Sequence, residues 1–107
     1  MLFRSNGMLN INKTIEEGKA LFALEGRLDT ITAPVLEEDL MNSLEGVKDL
    51  TLDFEKLDYI SSAGLRVLLA TQKIMNKEKG EMKVRNLNDT IAEIFELTGF
   101  AEILTIE

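Results

Sequence analysis

The chain has 107 residues, 45% of them hydrophobic, which suffices for one small domain with a core and is too short for two. It contains no cysteine and no histidine, which excludes disulfides, thiolate chemistry, and the commonest general base and zinc ligand. Nineteen acidic residues against twelve basic ones give a formal net charge of -7, and no dense Lys/Arg run offsets it, so a nucleic-acid partner is not expected. Few aromatic rings are available for stacking on bases or sugars, since there are five phenylalanines, one tyrosine and no tryptophan. No stretch approaches the roughly 18 consecutive apolar residues of a membrane span, and Met1–Gly7 is too short and polar for a signal peptide. The expectation is a soluble cytoplasmic domain with no membrane partner.

Residues 8 to 28 read as two strands joined by a turn. Met8, Leu9 and Ile11 begin a weak alternation, and Glu16-Glu17-Gly18 supplies a turn with a glycine free to take positive φ. Lys19–Glu25 is an apolar run of strand length, ended by Gly26 and Asp29. From Ile31 to Leu44 the spacing is helical: Ala33, Leu36, Leu40, Leu44 and Val47 share a face, Thr30 or Thr32 caps it, and Pro34 fits its first turn. Glu37, Glu38 and Asp39 are expected early in this helix on an exposed face, with Gly46 as its stop. Leu50–Phe54 alternates as a short strand until Glu55-Lys56 breaks the pattern.

Helical spacing returns from Ala63 to Lys77 through Leu65, Leu68, Leu69 and Met75, widened by Val67 and Ile74. Glu81–Leu87 reads as a short strand. Asn88 or Asp89 then caps a third helix whose buried side is Ile91, Ile94, Phe95 and Thr98, with Gly99 as C-cap and Phe100 as the contact after it. Ile103, Leu104 and Ile106 add a last strand or helical turn. Strands alternating with helices imply a mixed, mostly parallel sheet, with the first hairpin as its antiparallel edge. Sites in such sheets gather on the rim of strand-to-helix loops.

One of those loops is Ser61-Ser62-Ala63-Gly64, at a helix start. A serine here serves as N-cap, and the free N–H groups of the same helix end would also accommodate a phosphate carried on an adjacent hydroxyl. Gly64 lets another chain approach the backbone or relieves a tight loop. The stretch is not a Gly-x-Ser-x-Gly elbow, and histidine is absent. A lysine-activated serine would need Lys56 or Lys73 buried, whereas both read as solvated. Asp29, Asp53 and Asp58 fall near strand ends or loops, where a magnesium site is conceivable and turn hydrogen bonds are the simpler role. No catalytic, cofactor or metal site is assigned.

The run Asp58-Tyr59-Ile60-Ser61-Ser62-Ala63-Gly64-Leu65-Arg66-Val67-Leu68-Leu69 resembles the signature of the STAS domain family, which includes the bacterial anti-sigma factor antagonists. Glu25-Gly26-Arg27-Leu28-Asp29, Asp53-Phe54 and Phe95-Glu96-Leu97-Thr98-Gly99-Phe100 are similar to further family motifs, so the resemblance covers nearly the whole chain as a single domain, 1–107. It implies an α/β fold with a mixed four- to five-stranded sheet and helices packed mainly on one face. It implies partner switching. The unphosphorylated protein binds an anti-sigma factor that is also a GHKL-type serine kinase and so releases a sigma factor. Phosphorylation breaks the complex, and a metal-dependent serine/threonine phosphatase restores it. By position the phosphorylated residue is Ser62, with Ser61 as the lesser alternative. The partner surface implied is Asp29, Asp58, Ser61, Ser62, Ala63, Gly64, Leu65 and Arg66. The rival reading is a phosphorylation-independent STAS module that scaffolds a signalling complex or senses a small ligand.

Overall fold

The hairpin expected at the start of the chain forms around Glu17 and Gly18. In the computed structural model, which describes residues 2–5 by their backbone and residues 9–107 throughout, β2 (Leu9–Glu16) and β3 (Lys19–Leu28) pair antiparallel across that turn. Glu17 and Gly18 take φ of 48° and 80°, the left-handed pair that matches the twist of a tight hairpin. Met8 lies outside the described residues. A strand that the sequence pattern did not announce, β1 (Leu2–Ser5), pairs antiparallel with β2.

The remaining elements are α1 (Ala33–Ser43), β4 (Asp49–Ile60), α2 (Ser62–Lys77), β5 (Glu81–Arg85), α3 (Asp89–Thr98), α4 (Phe100–Ile103) and β6 (Thr105–Ile106). The sheet runs β1-β2-β3-β4-β5-β6. From β3 onward its pairings are parallel. This is the mixed sheet expected, extended at its edges by the short β1 and β6. Period-two alternation sends Ile11, Phe22, Leu24, Leu50, Leu52 and Val84 to the helix-covered face, where all are buried. The same alternation leaves Asn10, Asn12, Thr14, Thr51, Asp53, Lys83 and Arg85 on the opposite, partly exposed face. Phe54 and Phe95 meet edge to face at 6.5 Å between ring centres and tie α3 to the core.

Four local expectations change. First, β4 does not stop at Phe54 but runs through Glu55-Lys56 to Ile60. Two register shifts against β3 each add a residue to β4, so its buried positions step from Phe54 to Leu57 to Ile60 instead of alternating. Second, α1 begins at Ala33, leaving Ile31 outside the helix and 69% exposed. Glu37, Glu38 and Asp39 therefore lie beyond its first turn, and Asp39 is buried, paired with Lys13 of β2. Gly46 (φ 78°) falls two residues past the C-cap Leu44. Third, the buried stripe of α2 is Gly64, Leu65, Val67, Leu68, Thr71, Gln72 and Met75. Its two polar members hold hydrogen bonds, Thr71 Oγ1 donating to the Val67 carbonyl at 2.8 Å and Gln72 Nε2 to Asn76 Oδ1 at 2.9 Å. Fourth, β5 ends at Arg85, and Thr98 is exposed, its hydroxyl donating to the Ile94 carbonyl at 2.7 Å.

The third helix otherwise starts and stops as read. Asn88 is the N-cap, its Oδ1 accepting the Ile91 N–H at 2.8 Å while its Nδ2 donates to the Leu57 carbonyl at 3.0 Å. Gly99 is the left-handed C-cap, and Phe100 packs on Phe95 at 6.4 Å between ring centres. The last segment supplies both alternatives, a helical turn and a strand.

Candidate functional site

The site is the junction between the end of β4 and the start of α2, where the two serines have different work. Ser61 sits at the N-cap with extended backbone, and its Oγ accepts the Gly64 N–H at 3.4 Å. Its own N–H donates to the Leu28 carbonyl at 2.9 Å, extending the pairing of β4 with β3 by one step. Ser62 is the first helical residue, and its side chain is exposed. The N–H groups of Ser62 and Ala63 lie in the first turn and have no acceptor among the described residues. An anion held at Ser62 would meet these donors and the positive end of a sixteen-residue helix, with the exposed Arg66 guanidinium one turn further on.

Gly64 is buried for a steric reason. A Cβ there would stand 2.8 Å from Ile60 Cγ1 and 2.8 Å from Leu28 Cγ, so the first turn of α2 rests directly on the ends of β3 and β4. The room is taken by this chain's own side chains and not by an approaching partner. Leu65, placed on the partner surface by the resemblance, is likewise core at 6% exposure and offers a partner no side chain. Helical geometry explains both. Gly64 and Leu65 begin the inward stripe of α2, while Ser62 and Arg66, four apart, share its outward face.

The loop after β3 is built on Asp29. Its Oδ1 accepts the Ile31 N–H at 3.0 Å, the Thr32 N–H at 3.1 Å and the Thr32 hydroxyl at 3.3 Å. Thr32 Oγ1 also donates to the Arg27 carbonyl at 2.8 Å and accepts the Asp29 N–H at 2.8 Å. Thr32 thus stands at the N-cap position of α1 without capping it, because its hydroxyl is turned back into this turn. Asp29 Oδ2 lies 3.6 Å from Arg27 Nε, and Arg27 stacks over the Tyr59 ring at 4.4 Å. The Thr32 backbone N–H is the main reason that the Asp29 carboxyl titrates below its ordinary value. Desolvation opposes it, and the Ile31 N–H, the Thr32 hydroxyl and Arg27 add to it.

The structure brings the two loops together. Besides the Ser61–Leu28 bond, a shallow groove is lined by Thr30, Pro34 and Glu37 on one side and Ala63 and Arg66 on the other. Asp58 is exposed and is the extra residue at the second register shift of β4, not a member of the Asp29 turn. Asp53 lies within β4 rather than near its end, on the open face, with Arg85 Nη2 at 3.3 Å and Asn86 Nδ2 at 3.0 Å. No group of three or more acidic side chains is gathered in a metal-binding arrangement among the described residues. Neither lysine is buried as a lysine-activated serine would need. Lys56 is exposed with Glu25 at 3.9 Å, and Lys73 is exposed about three turns along α2 from Ser62.

Ile31 is the residue whose place on this rim sequence reasoning passed over. Ile31 is hidden by its apparent place in a helical pattern. Its signal is the order Asp29-x-Ile31-Thr32, in which an aspartate can bond N–H groups two and three residues on.

Comparison with known proteins agrees with this architecture. The family model described as STAS domain matches residues 10–107. The anti-sigma-B factor antagonist of Bacillus subtilis (strain 168) is 32% identical over 100 residues, covering 92% of each chain. Among solved structures, an anti-sigma factor antagonist from Mycobacterium paratuberculosis superposes with a TM-score of 0.81 at 23% identity, over 92% of this chain and 84% of that one. SpoIIAA of Bacillus, solved phosphorylated and unphosphorylated, gives 0.73 at 16% identity in both forms, over 91% of this chain and 90% and 86% of those chains respectively. At these identities the superpositions speak for the fold alone. The match over nearly every described residue, the sheet order and the Ser61–Gly64 junction at the head of α2 lead to one assignment: the chain belongs to the STAS domain family.

Proposed function

We propose that this chain is an anti-sigma factor antagonist whose contact with its anti-sigma factor is switched by phosphorylation of Ser62. The observation that carries the choice of residue is the division of labour at the junction: Ser61 Oγ is engaged as the cap, whereas the Ser62 side chain is exposed at the first helical position. In this reading the unmodified protein binds an anti-sigma factor that is also a GHKL-type kinase, acts in the cytoplasm, and frees a sigma factor. Transfer of the γ-phosphoryl group of ATP to Ser62 Oγ, with loss of the hydroxyl proton and release of ADP, adds about two negative charges to the rim. A metal-dependent phosphatase returns the hydroxyl. The chain is a substrate and a binding module in this cycle, and no catalytic group is required of it.

Intact-mass measurement after incubation with the cognate kinase and ATP tests the site. One phosphate is expected on wild type and on Ser61→Ala, and none on Ser62→Ala. An equal gain on Ser62→Ala refutes the assignment. A pull-down comparing wild type with Ser62→Asp tests the switch, with loss of the anti-sigma factor from the substituted protein as the expected result. Retention at wild-type level counts against switching.

A further inference from the structure

We infer that Ile31 is the apolar anchor by which this chain seats its anti-sigma factor, and that Asp29 is a positioning residue that presents Ile31 without itself being read by the partner. The inference rests on the proposed function and deepens it.

Ile31 is 69% exposed on the loop between β3 and α1, a large apolar side chain left in water on the same rim as Ser62. Its presentation is fixed from below. The Ile31 N–H is bonded to Asp29 Oδ1, the neighbouring Thr32 N–H is bonded to the same oxygen, and Thr32 is fully buried with its hydroxyl on the Arg27 carbonyl. A side chain held on a pinned backbone loses little further freedom on binding, which is what lets an apolar residue act as an anchor. The Asp29 carboxylate, by contrast, is already occupied. One oxygen accepts from Ile31 and Thr32, and the other faces Arg27. A partner reaching for it would have to displace bonds the loop depends on.

The same arrangement shows how modification would break the seat. Thr30, next to Ile31, and Ala63, next to Ser62, line opposite sides of one groove. A phosphate on Ser62 brings about two charges to the border of the apolar contact, and those charges would have to be desolvated for the partner to close over Ile31. Leu97 is more exposed still, at 79%, but it stands in the last turn of α3 and not on this loop, which makes it the internal control.

The test is titration of the purified cognate anti-sigma factor against wild type, Ile31→Ser, Leu97→Ser, Asp29→Ala and Asp29→Asn, read as Kd. Ile31→Ser is expected to weaken binding by about tenfold or more, and Leu97→Ser by less than about twofold. Asp29→Ala should lose about as much as Ile31→Ser, whereas Asp29→Asn keeps an oxygen acceptor for the turn and should stay within about threefold of wild type. Wild-type affinity in Ile31→Ser, or equal losses in Ile31→Ser and Leu97→Ser, overturns the anchor. Equal losses in Asp29→Asn and Asp29→Ala overturn the positioning role, because the partner would then be reading the charge. If wild type itself does not bind, the proposed function fails and this inference falls with it, an outcome distinct from all the others.

Discussion

Replacing Gly64 by alanine places one methyl group where α2 touches the sheet. Its Cβ would stand 2.8 Å from both Ile60 Cγ1 and Leu28 Cγ, and 3.1 Å from Leu28 Cδ2. Ordinary contact begins near 3.4 Å, so each neighbour must yield by roughly half an ångström. Neither atom is the loose end of a flexible chain. Ile60 is 2% exposed and Leu28 0%, so the displacement passes into the packed core. Overpacking of this kind costs about 1–3 kcal/mol, and the better helix propensity of alanine returns at most about 1 kcal/mol. A net loss of about 1–2 kcal/mol is expected, or a fall in Tm of roughly 4–10 °C. Urea unfolding followed by circular dichroism measures it, as a lower midpoint with unchanged slope. Leu28→Ala supplies the second side of a cycle. Alone it opens a cavity costing about 2–5 kcal/mol, but it also removes the atoms that the new methyl meets. The double variant should therefore be less unstable than the sum of the two singles by about 1 kcal/mol or more. A midpoint for Gly64→Ala at or above wild type, or strict additivity with Leu28→Ala, would show that the glycine is not there for space.

The Lys13–Asp39 pair joins β2 to α1 beneath the surface, with side chains 14% and 5% exposed and Lys13 Nζ also 3.1 Å from Ser43 Oγ. Asp39→Ala strands the ammonium and should cost about 3–5 kcal/mol in chemical unfolding, while Lys13→Met with Asp39→Leu should recover most of it. A double variant no better than Asp39→Ala would refute this account. Asp53 supplies an acid-side test. Burial pushes its carboxyl up, but the Asn86 amide, the Glu55 N–H and Arg85 together pull it below its ordinary 3.8. A lowered folded-state value means stabilisation that is complete above pH 3.8 and lost as pH falls through the folded-state value. The stability gap between wild type and Asp53→Asn should thus be constant near neutrality and close below about pH 4. A gap that persists unchanged into that acid range would contradict the assignment.

Elements whose signals are local could be read from the sequence. Serine before an apolar helical run, glycine after one, and Glu-Gly between two alternating runs each carry their own mechanism, and Ser61, Gly99 and the Glu17-Gly18 turn follow them. Features that depend on a distant surface could not. Lys13 and Asp39 look like solvent residues until α1 is known to cover the face of β2 that Lys13 occupies. The full length of β4 is hidden because its two bulges break the period of two that identifies a strand. Gly64 announces flexibility in the sequence, yet the requirement it meets is set by Leu28 and Ile60, and no spacing rule reports that. At the rim, Asp29 and Ser62 were legible as neighbours, whereas Ile31 was absorbed into a helical pattern that begins two residues later.

The strands lie side by side in the order in which they occur along the chain. No strand has to be threaded between two that are already paired. Each one after the first pairs with an edge that the preceding strand contributes. Sheets closed by distant pairings fold slowly because loop entropy is spent before any contact repays it, and this order keeps every closure to the next segment along. The Leu28–Ser61 bond that sets the junction therefore needs only β3 and β4 in place. None of β5, α3 or β6 supplies a partner to that bond.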